Sequence, residues 1–153
     1  MILRLETTVH APIERCFDLS RNISLHTSLK PWHEAISGVT QGPIGKCETV
    51  TWRARILGIP VTHTSLIDEY DRPTYFRDVM VQGAFKSYQH QHYLEQAGDL
   101  TVMRDVVTMF APLGPLGRIA ETIYIKSFLT KILTSRNEVL KRVAESEEWK
   151  KYL

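Results

Sequence analysis

The residue pattern changes period once, at Ala111-Pro112-Leu113-Gly114-Pro115, and that change limits the folds open to the chain. Before it, apolar and polar residues alternate in one stretch after another, the mark of half-buried strands. After it, a segment from about Leu116 to Ser146 contains no proline and only Gly117. Ile119, Ile123, Leu129, Ile132, Leu133, Leu140 and Val143 recur there at helical spacing. A helix of that length is about 45 Å long, enough to cross a whole sheet.

Upstream, Ile2 to Val9 alternates as a strand. Ala11-Pro12 opens a helix through about Ser20, because a proline in the first helical turn gives up an N–H that has no partner there anyway. Asn22 or Ser24 caps a second short helix that ends before Lys30-Pro31. Turns fall between Gly38 and Gly45. Glu48 to Leu57 alternates again, with Val50, Trp52, Ala54 and Ile56 on one side. Gly58-Ile59-Pro60 leads into a strand through Asp68, and Asp71-Arg72-Pro73 into another from Tyr75 to Gln82. The predicted order is strand, two short helices, about six more strands, long helix. This is an α+β architecture, a single domain over residues 1–153.

Composition narrows the function classes. At 153 residues the chain suits one domain with a sizeable core. A net charge of +2, with basic residues scattered, argues against nucleic acid. No run approaches the length of a membrane span. The N-terminus lacks the apolar block of a secretory signal, so a cytoplasmic location is expected. Cys16 and Cys47 form neither a CxxC nor a metal-ligand pattern, and reduced thiols are expected. A homo-oligomer stays open.

The chemistry concentrates between Tyr75 and Phe110. Three antiparallel strands there place Asp78, His90, His92 and Asp105 on one face, among Phe76, Met80, Tyr88, Leu94, Met103, Val107 and Met109. A three-residue turn at Gly83-Ala84-Phe85 sets Asp78 opposite His90 and Phe76 opposite His92. A two-residue turn at Ala97-Gly98 sets His90 opposite Asp105 and His92 opposite Met103. His90 then sits between two carboxylates, which are expected to raise its pKa. Such a row is either a hydrogen-bonded network that fixes register or a ligand-facing acid–base centre. Arg136 falls on the helix stripe between Leu133 and Leu140, where it pairs with an interior carboxylate or anchors a ligand head group.

The element order and several phrases resemble the START-like helix-grip superfamily, also called SRPBCC. The phrases are Ala11-Pro-Ile-Glu-Arg-Cys-Phe17, Phe76-Arg-Asp78-Val-Met80 with Gly83 and Phe85, His90-Gln-His92, Thr101-Val-Met103-Arg-Asp105, Pro112-Leu-Gly114, and Arg136. The resemblance spans essentially the whole chain and is nearest to a bacterial subgroup of uncertain activity. It implies a curved antiparallel sheet of about seven strands gripping the long helix, with a cavity between them.

The expected cavity residues are Trp52, Phe76, Asp78, Met80, Tyr88, His90, His92, Met103, Asp105, Val107, Ile123, Phe128 and Arg136. The expected partner is a small hydrophobic ligand such as a lipid, isoprenoid or polyketide-like compound. An enzyme of cyclase or dehydratase kind using His90 with Asp78 or Asp105, and an interaction module with a self-filled cavity, are the alternatives. His63 in Thr62-His63-Thr64 lies on a strand and can point either way, with a surface histidine the favoured reading. His90-Gln-His92 offers two metal ligands on one strand face but no clear third, so no metal and no cofactor are expected.

Overall fold

The structure, a computed structural model, describes residues 1–28, 34–56, 58–112 and 114–153, the side chains of residues 56, 118, 120 and 121 excepted. The N-terminal alternation forms β1 (Ile2–Val9), followed by α1 (Ile13–Ser20) and α2 (Ile23–Thr27). Then come β2 (Glu34–Gly38), β3 (Thr49–Ile56), β4 (Ile59–Asp71), β5 (Tyr75–Gln82), β6 (Ser87–Ala97) and β7 (Leu100–Phe110). All seven strands pair antiparallel in one sheet, in the order β1-β7-β6-β5-β4-β3-β2. The helical run beyond the proline cluster comprises α3 (Gly114–Ala120), a π-helical turn (Glu121–Ile125) and α4 (Lys126–Ala144). A 3₁₀ turn (Glu147–Lys151) follows.

The short helices begin where local chemistry satisfies their first N–H groups. Pro12 holds the extended conformation of an N-cap, and the Ile13 N–H donates to Gln96 Oε1 of β6 at 2.8 Å. Asn22, not Ser24, caps α2: its Oδ1 accepts from the Leu25 N–H at 3.1 Å. The amide of Asn22 also donates to the Tyr152 carbonyl at 2.8 Å, so one side chain ties α2 to the C-terminus. The predicted helix end at Lys30-Pro31 lies outside the described residues.

The helix grips the sheet through two apolar clusters. In the larger, Leu140, Val143 and Ala144 of α4 pack with Val9, Phe17, Phe76, Leu94 and Met103. Phe17 meets Tyr70 and Phe76 edge-on, with ring centroids 5.4 and 5.5 Å away. In the smaller, Leu133 packs on Leu3 and Val107. Burying each large side chain contributes about 1.5–3 kcal/mol. Along β7 the two clusters are separated by a single inward residue, Asp105, between Met103 and Val107. That break in the apolar face is where the polar row sits. No helix among the described residues is long and apolar enough to cross a membrane.

Candidate functional site

Strand register builds the row. On β5 and β6 the pairing is as predicted: Asp78 faces His90 and Phe76 faces His92. On β6 and β7 it differs. The two-residue turn is Gly98-Asp99, with Gly98 at φ +62°, and Ala97 pairs with Leu100. His92 is therefore opposite Asp105, and His90 is opposite Val107. Glycine takes the left-handed position without steric cost, which draws the turn one residue along. Moving the turn by one residue moves the pairing by two, so every side chain keeps its face.

Both histidines contact the same carboxylate. His90 Nε2 lies 2.8 Å and His92 Nδ1 3.0 Å from Asp105 Oδ1. On their other side, His92 Nε2 is 3.2 Å and His90 Nδ1 3.8 Å from Asp78 Oδ2. The two imidazoles lie against each other at 3.8 Å, and Phe76 stacks on His92 at 4.0 Å with 9° between the planes. Arg136 donates to Asp105 Oδ1 at 2.6 Å, and Asn137 to Asp105 Oδ2 at 2.7 Å. Arg136 also donates to Asn137 Oδ1, and Asn137 to Thr7 Oγ1. The chain of contacts continues outward from Asp78: Ser65 donates to Asp78 Oδ1 at 3.1 Å, and His63 Nε2 is 2.9 Å from Ser65 Oγ.

Burial sets the charge states. His90, His92 and Asp105 are 3%, 4% and 2% exposed. The predicted rise in the His90 pKa is corrected: burial, with the neighbouring His92, outweighs Asp105 and holds it down at about 4. Burial would raise Asp105, but Arg136 and the histidines overcome it and hold the carboxyl well below its usual range. Asp78 is likewise pulled down against burial, by its hydrogen bond with His92 and the nearby histidine charges, to about 2. Burial pushes the Tyr88 hydroxyl up, so it stays a donor, and it has no hydrogen-bond partner among the described residues.

A pocket of about 180 Å³ opens between this row and the helices. Its walls come from α4 (Phe128, Leu129, Ile132, Leu133, Arg136), from the short helices (Ile23, His26), and from the inner face of β3 to β6. Of the predicted residues, Trp52, Phe76, Asp78, Tyr88, His90, His92, Phe128 and Arg136 line it. Others fall elsewhere. Asp105 lies behind the histidines, Met103 is in the larger cluster and Val107 in the smaller, and Met80 is half-buried near the end of β5 beside Gly83. Ile123 is a correction: it is 76% exposed in the π-helical turn. A π-turn adds a residue to the turn, so a stripe counted at 3.6 residues does not carry across it. Leu116 and Ile119, on the far side, are exposed as well.

Three contributors escaped the sequence reading. Asn137 is the clearest, because it falls four residues after Leu133 on the helix stripe, where a polar residue signals an interior partner. Thr7 and Ser65 give no such signal. His63, read as a surface group, is half-buried and lines the pocket, with its pKa lowered by burial. Asp78 gives the two histidines a third ligand atom: Asp78, His90 and His92 each offer one, all within 4.8 Å of one another.

No family model and no curated protein matches the chain. Solved structures do match it. A protein from Thermus thermophilus is 19% identical at a TM-score of 0.70, covering 99% of this chain and 98% of its own. The major latex-like protein 151 of Panax ginseng is 15% identical at 0.69, covering 95% and 98%. A START superfamily protein from Mycobacterium smegmatis is 14% identical at 0.66, covering 91% and 98%. At these identities likeness speaks for the fold, and the fold of this chain is the START-like helix grip.

Proposed function

We propose that the protein binds a small, mostly apolar ligand in the pocket between the sheet and α4. The observation that carries this reading is the lining: apolar walls from α4 and β3 to β6, with titratable groups gathered at one end. Ligand sites are commonly apolar with a few convergent polar groups. A cavity of about 150 Å³ suffices for benzene in an unrelated protein, so this pocket suits a ligand of one ring or a short acyl chain. The unpartnered Tyr88 hydroxyl supports a ligand that carries an oxygen acceptor.

Proton transfer by His90 with Asp78 or Asp105 has less support. A base held near 4 is far from the value that serves neutral-pH catalysis, and its nitrogens face carboxylates. A self-filled interaction module has less support too, because the pocket is not closed by the chain's own side chains. Native mass spectrometry of the purified protein is the test, followed by titration with a solvatochromic dye. A retained small molecule, or saturable dye binding at one site per chain, is expected. Neither being found would overturn the reading in favour of the interaction module.

A further inference from the structure

We infer that Asp78, His90 and His92 form a binding site for a divalent transition-metal ion of the zinc class, at the polar end of the pocket.

A neutral imidazole has one N–H and one lone pair. His90 Nε2 is 2.8 Å from Asp105 Oδ1, which makes it the N–H and leaves Nδ1 with the lone pair. His92 has a carboxylate oxygen at both nitrogens, Asp105 at 3.0 Å and Asp78 at 3.2 Å. In either tautomer, one of its nitrogens turns a lone pair toward a carboxylate. Only a cation between them relieves that contact.

A proton is one such cation, but it joins two atoms. Here three residues converge: Asp78, His90 and His92 each offer one ligand atom, all within 4.8 Å, and the ring nitrogens nearest Asp78 Oδ2 are His92 Nε2 and His90 Nδ1. Zinc bonds of 2.0–2.1 Å to nitrogen and oxygen in a tetrahedron put ligand atoms about 3.3 Å apart. The observed separations from Asp78 Oδ2, 3.2 and 3.8 Å, straddle that value. At 3.8 Å the His90 to Asp78 contact is too long for a hydrogen bond.

The surroundings match what metal-bound histidines need. A ligating histidine usually gives its other N–H to a carboxylate, which fixes the tautomer and the ring. Asp105 is hydrogen-bonded to that other nitrogen of His90 and lies 3.0 Å from that of His92, without hydrogen-bond geometry there, and Arg136 and Asn137 hold Asp105 in turn. All three ligand residues line the pocket, so a fourth position opens toward it. The expectation of no metal rested on the missing third ligand, and strand β5 supplies it.

The test uses the full chain, purified without an affinity tag and stripped with chelator. Zn²⁺ alone is titrated by calorimetry, and Co²⁺ alone is followed by visible absorption. One ion per chain is expected, with the intense d–d bands of a four-coordinate cobalt site. Asp78→Asn and His92→Gln should each weaken binding at least about 100-fold, and Asp105→Asn about 10- to 100-fold through the rings it orients. Circular dichroism checks that the variants fold. Should they unfold, the wild-type cobalt spectrum and imidazole-nitrogen hyperfine coupling from bound Cu²⁺ decide the question. No saturable binding, octahedral cobalt bands, or binding unchanged in folded D78N and H92Q protein would overturn the proposal and leave the proton as the cation. Dye binding to D78N, measured in parallel, reports the pocket separately from the metal.

Discussion

Arg136 on α4 donates to Asp105 on β7 at 2.6 Å, linking the gripping helix to the sheet between its two apolar clusters. Asp105 is buried and Arg136 half-buried, so removing the arginine strands a buried carboxylate. Breaking a buried pair of this kind costs about 3–5 kcal/mol. Arg136→Met should lower stability by that amount in urea unfolding. In a double-mutant cycle with Asp105→Asn the combined loss should fall short of the sum of the single losses. Additive losses would show that the pair does not couple helix to sheet.

Pocket filling and core overpacking should separate cleanly. Ala54 lines the pocket, and Ala54→Trp should reduce dye affinity about tenfold, or about 1.4 kcal/mol, with little change in stability. Val107 is fully buried outside the pocket and packs on Leu3 and Leu133. Val107→Trp should cost about 1–3 kcal/mol of stability by forcing its neighbours apart. Equal dye binding by wild type and A54W would place the dye outside this pocket.

Asp18 ties α1 to the β4–β5 turn through Arg72, and pairs with Arg21 at 2.7 Å. Burial raises its carboxyl, but hydrogen bonds from Arg72 and Arg21 outweigh this and hold it below its usual value. A depressed folded pKa means stability that is present above the unfolded value of about 3.9 and lost as pH falls through the folded one. Asp18→Asn should cost about 1–2 kcal/mol at pH 7, mostly from the buried Arg21, since Arg72 is solvated. The gap between wild type and variant should close on acidification below about pH 4. A gap that persists at the acid end would assign the cost to packing.

Gly38, at the end of β2, has φ +75°, and a Cβ there would lie 2.2 Å from the Thr49 carbonyl oxygen. Backbone blocks that contact on β3, so no side-chain rotation relieves it. Gly38→Ala should destabilise by at least about 1–3 kcal/mol, from left-handed strain plus the clash. Gly42, also at positive φ but with open space, should bear alanine better. Thermal unfolding of the two variants side by side gives the comparison.

Local physics made the fold legible. Strand alternation, the proline cluster at residues 111–115 and the uninterrupted run after it depend on neighbours in sequence, and so does the face on which Asp78, His90, His92 and Asp105 point. Hairpin arithmetic placed Asp78 opposite His90, because short loops leave little freedom. Other properties depend on contacts between distant segments. The Gly98 conformation put His92, not His90, opposite Asp105. Asn137 and Thr7 reach Asp105's surroundings only once α4 lies on β1 and β7. The π-turn rotated Ile123 to solvent, where a 3.6-residue count would bury it. Burial reversed the expected shift of His90, since two carboxylates count for less when the ring loses water and shares its space with a second imidazole. Sequence alone determined which groups share a face. Tertiary structure decided which of them touch and how much water remains around them, because distance and desolvation belong to the packed molecule.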